Sequence, residues 1–391
     1  MHGNVVRSLH SVLKAKLSVS PVVALLGPRQ SGKSTLAAMY AQEDPRLLRL
    51  DLERPADVRK LEDPEAFFAA NSKRLICIDE IQRRPELFPV IRYWVDQSNQ
   101  PGQFLILGSA SRELIRQSSE SLAGRISYLE LTPFLWSEIR NTADLHAYLN
   151  RGGYPRSFLS ENDRQSLEWR IDFVRDFLER DIPSFNPRLS PLTADRLLQM
   201  VSHSHGQILN MNSLALSLGI DGKSVRRYLD LLEGAFVIRR LQPFHTNLKK
   251  RLIKSPKIYL RDTGLLHAIL GLPDWNGVAG HPVYGYSWES LCIENITASL
   301  RPEVRYSFYR TSHGAEIDLL LEAGSSRVAV EFKASSAPKA GKGFWLSVGD
   351  LQIMRTWVIA PITEPYKAEG IRYASLADFV GSQENEDLFA T

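Results

Sequence analysis

The chain has 391 residues, of which 43% are hydrophobic and 24% charged, and a mild net charge of +4, as is ordinary for a globular protein. This length predicts roughly two to four domains. Cys77 and Cys292 lie in apolar stretches, which argues against a disulfide framework or a cysteine-bound metal. No apolar run approaches the roughly 18 residues of a membrane span, and the first residues carry no apolar signal core. We therefore expect a cytoplasmic protein with no membrane partner.

The first strongly apolar run, 21–26, leads directly into a glycine-rich segment. This segment fits the pattern G-x-x-x-x-G-K-[ST] at every fixed position and consists of Gly27, Pro28, Arg29, Gln30, Ser31, Gly32, Lys33, Ser34 and Thr35. Such a loop aims backbone N–H groups at a polyphosphate, and a helix beginning near Ser31 would turn its positive dipole end toward the same anion. Lys33 would reach the β- and γ-phosphates of ATP, and the Ser34 hydroxyl would hold Mg²⁺. The alternative is a glycine turn that binds nothing.

A second apolar strand, 74–78, ends in two adjacent carboxylates, Asp79 and Glu80. Because the carboxyl ends of neighbouring parallel strands lie beside the phosphate loop, Asp79 would complete the Mg²⁺ shell. Glu80 would act as the general base on the attacking water. The alternative is an acidic pair in a solvated turn.

Two further residues are candidates for roles at the nucleotide. Ser109 follows the apolar strand 103–108, where sensing P-loop ATPases place a hydroxyl or amide that faces the γ-phosphate. Arg125 could act as a finger on the nucleotide of a neighbouring subunit, or it could equally be a surface ion-pair residue. A finger that works between subunits predicts a homo-oligomer.

These motifs resemble the AAA+ class of P-loop ATPases, and specifically a family of prokaryotic ATPases whose C-terminal half was labelled a domain of unknown function. The resemblance covers nearly the whole chain and rests on the segments 78–82, 108–109, 122–125, 152–155 and 256–264. The last segment, Pro-Lys-Ile-Tyr-Leu-Arg-Asp-Thr-Gly, is a distinctive family marker. The resemblance implies an α/β fold with a P-loop ATPase core that hydrolyses ATP with Mg²⁺.

The region that follows the predicted ATPase core changes to a helical pattern. Residues 136–190 are polar and helical in pattern, as in a small lid or connector. The next segments predict helices over 196–201, 211–218 and 223–232, and strands over 236–241 and 257–260. Three short helices and a two-stranded hairpin are the plan of a winged helix.

Positive charge is concentrated in the segment 223–257. Ten lysines and arginines stand there against two acidic residues, a balance of +8, while the whole chain carries +4. The predicted nucleic-acid contacts are Lys223, Arg226 and Arg227 on the third helix, and Lys249, Lys250 and Arg251 on the wing. The alternative is a protein-docking module with solvated basic loops.

The last third of the chain contains a β-hairpin pattern, with apolar strands over 316–322 and 328–333 around a Gly-Ser-Ser turn. Asp318 and Glu331 lie on the paired strands, and Lys333 shares a face with Glu331 because strand side chains alternate. Two converging carboxylates can bind a divalent cation, and a neighbouring lysine can orient the water that attacks a phosphodiester.

This hairpin resembles the PD-(D/E)xK nuclease superfamily, whose core reads Asp and then (Asp/Glu)-x-Lys on an adjacent strand. The superfamily often adds a glutamate from a preceding helix, and Glu289 matches that position better than Glu294. Ile317 stands where the motif has its proline. The resemblance implies a restriction-endonuclease-like α/β domain with a metal at Glu289, Asp318 and Glu331. Nuclease activity stays open, because such scaffolds also serve for binding alone.

The predicted organisation is a P-loop ATPase core at 1–135, a helical lid at 136–190, a winged helix at 191–265 and a nuclease-like domain at 266–391. The leading hypothesis is a Mg²⁺-dependent ATPase that binds or remodels double-stranded or branched DNA, with a C-terminal module that binds or cuts it. The competing hypothesis is an ATP-operated regulatory switch whose winged helix and nuclease-like fold only bind DNA or protein. RNA processing is a third, weaker reading.

Overall fold

The computed structural model describes residues 5–98, 100–108, 120–244 and 252–384. The chain forms two units, one from Met1–Phe134 and Asp230–Phe236 and the other from Leu135–Leu229 and Val237–Thr391. Within the described residues, no helix is both long enough and apolar enough to cross a membrane.

A five-stranded sheet forms the centre of the N-terminal unit. Its strands are β1 (Val22–Leu26), β2 (Leu47–Asp51), β3 (Leu75–Asp79), β4 (Phe104–Gly108) and β5 (Ile126–Glu130). They are arranged in the order β2-β3-β4-β1-β5, and every pairing is parallel. The carboxyl ends of all five strands therefore lie along one edge of the sheet.

Helices cover both faces of this sheet, as the apolar run of β1 predicts. They are α1 (Leu9–Leu17), α2 (Lys33–Glu43), α3 (Pro55–Lys60), α4 (Pro64–Ala70) and α5 (Leu87–Ser98). Val22, Ala24 and Leu26 of β1 belong to one apolar core, while Val23 and Leu25 belong to the core on the other face. A strand that is buried on both faces carries a continuous apolar run rather than an alternating one.

The second unit is richer in helices. From residue 135 onward these are α6 (Trp136–Ile139), α7 (Leu145–Arg151), α8 (Pro155–Phe158), α9 (Asp163–Asp176), α10 (Ile182–Phe185), α11 (Pro191–His203), α12 (Met211–Leu218), α13 (Gly222–Gly234), α14 (Thr263–Ile269), α15 (Trp275–Ala279), α16 (Tyr284–Ala298), α17 (Lys342–Leu351) and α18 (Leu376–Glu384). Between α13 and α14 the strands β6 (Ile238–Leu241) and β7 (Lys257–Leu260) pair antiparallel. The predicted order of three helices and two strands is therefore formed.

A six-stranded mixed sheet occupies the C-terminal region. Its strands are β8 (Arg305–Arg310), β9 (Glu316–Ala323), β10 (Ser326–Phe332), β11 (Arg355–Ile359), β12 (Tyr366–Ala368) and β13 (Ile371–Ala374). Their order is β12-β13-β11-β10-β9-β8. The antiparallel pair β9–β10 confirms the predicted hairpin, and Val330 pairs with Leu319, so that Asp318 and Glu331 come next in register.

Two glycine-containing segments of the second unit, 152–155 and 256–264, pack directly against each other. The Asp262 carboxylate accepts hydrogen bonds from the backbone N–H of Gly153 at 2.8 Å and of Leu265 at 2.9 Å, which caps α14. Burial raises the pKa of Asp262 to about 6. A Cβ on Gly264 would lie 2.1 Å from the carbonyl oxygen of Arg151. The marker segment therefore requires glycine at 264 because backbone packs against backbone there.

We expect Gly264→Ala to destabilise the protein by about 1–3 kcal/mol or more, because backbone on both sides must move to admit a methyl group. The measurement is the free energy of unfolding from chemical denaturation. Gly349→Ala is the matched control, because a Cβ at this position in α17 meets no atom within 4 Å. It should be neutral or stabilising by up to about 1 kcal/mol, since alanine is the better helix former. Equal effects of the two substitutions would contradict this account.

Candidate nucleotide site and carboxylate cluster

The glycine-rich loop connects the end of β1 to the start of α2. A Cβ on Gly27 would lie 2.2 Å from the carbonyl oxygen of Leu131, so no larger residue fits at the strand's end. Gly32 caps α2 with φ of 99°, a left-handed conformation that favours glycine. The two glycines thus bend the chain so that Lys33 begins the helix.

Lys33 lies inside its own loop. Its Nζ donates to the carbonyl oxygens of Gly27 at 2.9 Å and Pro28 at 2.8 Å. Burial lowers the pKa of Lys33 to about 8, although the negative charges of Glu80 and Asp79 act in the opposite direction. An anionic phosphate in the loop would restore the stability of the ammonium form.

Ser34 and Asp79 meet as their spacing in the sequence predicts. The Ser34 Oγ donates to Asp79 Oδ2 at 2.7 Å, and the carboxylate is buried at the end of β3. Arg49 on β2 also donates to Asp79 Oδ2 at 2.7 Å. A hydroxyl and a carboxylate beside a phosphate loop are the oxygen donors that Mg²⁺ takes, so these residues fit a Mg²⁺–nucleotide complex.

Glu80 follows Asp79 directly but leaves the strand. Its φ of 60° is left-handed, which turns the chain into the short 3₁₀ helix Ile81–Arg83. Burial raises the pKa of Glu80, and the Gln82 amide donates to its carboxylate. A raised pKa makes this carboxylate a better proton acceptor than an exposed glutamate, which is the property that a general base needs.

Arg7 is a residue of this region that the sequence patterns did not indicate. It is buried, and its guanidinium donates to the carbonyl oxygens of Ser31 at 2.9 Å and Thr132 at 2.7 Å. It thereby ties the phosphate loop to the chain that follows β5. A lone arginine ahead of the first helix carries no spacing signal, so only the packing identifies it.

Two candidates of the ATPase region remain, Ser109 and Arg125, and the structure describes one of them. Ser109 lies outside the described residues. Arg125 precedes β5, and its carbonyl accepts from Val22 N–H, at the amino end of β1. That is the opposite end of the strand from the phosphate loop, roughly 16 Å away at about 3.3 Å per residue. Its guanidinium pairs with Asp96 of the same chain, and a role on a neighbouring subunit stays a prediction.

The predicted recognition helix presents its basic residues to solvent. Lys223, Arg226 and Arg227 are exposed on α13, while Val225 and Tyr228 are buried on its other side. Within the described ranges, none of the three basic residues forms an ion pair. The wing residues Lys249, Lys250 and Arg251 lie outside the described residues.

In the C-terminal hairpin the predicted residues have different hydrogen-bond partners, although the charge of Asp318 acts on Glu331. Glu331 accepts from Gly341 N–H at 3.1 and 3.2 Å and lies 2.6 Å from Lys333 Nζ. Asp318 instead accepts from Phe332 N–H at 3.0 Å. Glu289 on α16 and Asp318 share one cationic partner, Lys257.

Lys257 on β7 lies among three carboxylates. Its Nζ lies 2.9 Å from Glu289 Oε1, 2.6 Å from Glu316 Oε1 and 3.6 Å from Asp318 Oδ1. We name these three acidic residues the carboxylate cluster. In the part of the chain that the structure describes, no three His, Cys, Asp or Glu residues are grouped so that they could hold a metal. The metal set Glu289, Asp318 and Glu331 stays a prediction.

The marker segment explains how Lys257 reaches the cluster. Alternate residues of a strand share a face, so Lys257, Tyr259 and Arg261 all point toward α16. The Tyr259 hydroxyl donates to Glu289, and Arg261 donates to Glu294 at 2.9 Å. Burial alone would raise the pKa of Glu294, but Arg261 and a second arginine, Arg239, lower it to about 2. Glu294 thus forms structural ion pairs with these two arginines. Glu289 instead accepts hydrogen bonds from Lys257 and Tyr259.

The buried lysine of the phosphate loop predicts a pH-dependent affinity for ATP. Above about pH 8 the free protein loses the Lys33 proton, so binding must take a proton up, and affinity should fall by up to about tenfold for each pH unit. Isothermal titration calorimetry in buffers of different ionisation enthalpy measures this uptake. Lys33→Arg, whose guanidinium stays charged, should show no uptake. A wild-type affinity that stays constant between about pH 7 and 9.5 would contradict the prediction.

Family comparisons divide the chain into three parts. A family model described as "AAA domain" matches residues 19–140. Two domains of unknown function follow, DUF8612 at 142–276 and DUF4143 at 284–379. The N-terminal region is therefore an AAA-type P-loop ATPase domain, as its loop and its parallel sheet indicate.

Among solved structures, the Walker-type ATPase PABY2304 of Pyrococcus abyssi is similar over 68% of this chain and 96% of its own, with 14% identity and a TM-score of 0.47. DnaA from Aquifex aeolicus, bound to AMPPCP, is similar over 57% of this chain and 85% of its own, with 14% identity and a TM-score of 0.28.

Two curated relatives are much more similar. They are the uncharacterized proteins Rv2008c of Mycobacterium tuberculosis and Mb2031c of Mycobacterium bovis. Each is 40% identical over 349 residues, which is 89% of this chain and 78% of the relative. The chain belongs to the family of these mycobacterial proteins, and in this chain an AAA-type P-loop ATPase domain precedes two domains of unknown function.

Proposed function

We propose that this protein is a Mg²⁺-dependent ATPase that couples hydrolysis to binding or remodelling of double-stranded or branched DNA. The observation that carries the proposal is the assembly of Lys33, Ser34, Asp79 and Glu80 at the carboxyl edge of the five-stranded sheet. Nucleotide binding alone would not need a second carboxylate, the partly buried Glu80 with its raised pKa, beside the phosphate loop.

Each residue of this group has a separate task. The loop N–H groups and Lys33 hold the phosphates, and Lys33 leaves the carbonyls of Gly27 and Pro28 to do so. Ser34 and Asp79 would hold Mg²⁺, and the ion would supply positive charge next to the phosphates. Glu80 takes the proton of the attacking water.

Exposed charge on α13 supports the DNA part of the proposal. Lys223 lies about one helical turn before the adjacent pair Arg226 and Arg227. All three are exposed on one helix, where they could contact the phosphates of a nucleic-acid backbone. The net charge of the 223–257 segment is larger than the positive charge that the segment presents to solvent. Arg239 and Lys257 form ion pairs with internal carboxylates instead. The helix, rather than the whole segment, is therefore the DNA contact that we propose.

A second candidate is an ATP-operated regulatory switch in which the middle and C-terminal regions bind DNA or protein without cutting it. The arrangement around Lys257 favours it, because the carboxylates that would hold a nuclease metal bind a lysine instead. The two candidates differ in whether DNA changes the rate of hydrolysis. They also differ in whether ATP binding changes the oligomeric state.

The first test is Glu80→Gln, which removes the proton acceptor and keeps the shape. We expect the turnover of ATP to fall by about 10²–10⁴-fold while ATP affinity stays within a few-fold of wild type. Phosphate release gives the rate, and fluorescent-nucleotide titration gives the affinity. The control is Glu62→Gln, an exposed glutamate of the same unit, which should leave both unchanged. Unchanged turnover in Glu80→Gln would exclude the assigned base.

The same variant separates the two candidate functions. Stimulation of wild-type ATP turnover by duplex or branched DNA supports the coupled ATPase. A Glu80→Gln protein that ATP locks in one oligomeric state, measured by light scattering, with slow wild-type turnover that DNA does not change, supports the switch.

The second test replaces Lys223, Arg226 and Arg227 together by glutamine. DNA affinity should fall, and the slope of log affinity against log salt should flatten by about 2–3, because each phosphate contact contributes about 0.9. Fluorescence anisotropy across a salt series measures both quantities. A charge-matched control replaces the exposed lysines Lys73, Lys339 and Lys367 by glutamine and should keep the wild-type slope. Equal loss in the two triple variants would show non-specific charge attraction, and tighter binding of RNA would redirect the proposal to RNA.

A further inference from the structure

The carboxylate cluster is occupied by a cation that belongs to the chain itself. Lys257 is only 3% exposed, and its ammonium contacts two of the three carboxylates at ion-pair distance, with the third at 3.6 Å. Its charge also lies 5.7 Å from the centre of the Phe308 ring, a favourable cation–π position. The ammonium is therefore enclosed by negative charge and an aromatic face.

The surroundings of Lys257 favour a positive charge at this point. Its Nζ lies within 4 Å of oxygens from Glu289, Glu316 and Asp318. Acidic side chains this close stabilise an ammonium, and they also hold it in place.

A divalent metal and this ammonium compete for the same oxygens. Glu289 and Asp318 are two of the three residues that the hairpin pattern predicts as metal ligands, and both face Lys257. The third, Glu331, is turned to the N–H of Gly341 and to Lys333. A metal needs several oxygens at about 2.0–2.6 Å from one point, and a fixed positive charge at that point excludes it.

We propose that Lys257 is the permanent cation of the carboxylate cluster, in the place of a divalent metal, and that the C-terminal module therefore does not cut nucleic acid. The neighbouring residues of the marker segment hold the lysine there, since Tyr259 and Arg261 fix the same strand against α16. The proposal concerns the second unit alone and does not depend on the ATPase function.

The test counts metal ions bound by the full-length chain without nucleotide, with Tb³⁺ as the probe and Tyr259 as a sensitiser of its emission. Lys257→Ala should bind one Tb³⁺ more per chain than wild type, and Mn²⁺ should displace it. Adding Glu289→Gln and Asp318→Asn to Lys257→Ala should remove this extra ion. Lys254→Ala, the loss of an exposed lysine three residues earlier, should bind as wild type does.

Further variants provide a test even if Lys257→Ala does not fold. With Lys257 retained, Glu289→Gln and Asp318→Asn should leave the number of bound ions unchanged. Lys257→Met, which keeps the length of the side chain, should bind one extra Tb³⁺ as Lys257→Ala does. Supercoiled DNA with Mn²⁺ should stay intact. A wild-type ion lost in Asp318→Asn, a folded Lys257→Ala without an extra ion, or Mn²⁺-dependent cleavage abolished by Asp318→Asn would each overturn the proposal.

Discussion

The second unit depends on one row of buried charge. Lys257, Tyr259 and Arg261 alternate along the end of β7, and each donates to a glutamate of α16. A buried carboxylate without a partner would be expensive, so helix and strand hold each other in register. The next residue, Asp262, caps α14 and binds the backbone of the glycine pair near α7. One nine-residue segment therefore joins the helical region to the C-terminal sheet.

The two candidate sites use side-chain cations in contrasting ways. In the N-terminal site Lys33 donates to loop carbonyls in the place of a nucleotide phosphate, and Arg49 donates to Asp79, which Mg²⁺ would bind. The Arg49 side chain is 37% exposed and can move aside, so that contact holds the site in order without blocking it. In the carboxylate cluster the cation is almost fully buried and has three acidic partners. The ion pair of Arg49 with Asp79 can therefore open for a ligand. The ion pairs of Lys257 are enclosed in the interior.

Charge counted along the sequence is a poor guide to a binding surface in this protein. Arg239 and Lys257 contribute to the basic character of the 223–257 segment, yet both neutralise glutamates of α16 in the interior. The basic residues of α13 differ because the helical period places their neighbours Val225 and Tyr228 in the core and leaves the charges in water. Periodicity, and not net charge, separates the two kinds of basic residue.

The sequence by itself determined the features that depend on local order. The spacing from Gly27 to Ser34 predicts a phosphate loop, and continuous apolar runs predict buried parallel strands. The two apolar runs on either side of the Gly-Ser-Ser turn predict the hairpin. Only the tertiary structure decided which charged groups meet. Arg7 at the phosphate loop, Arg49 at Asp79 and Lys257 among the carboxylates come from distant parts of the chain. Such contacts leave no period or spacing in the sequence, because they are selected by packing and by the cost of burying an unpaired charge.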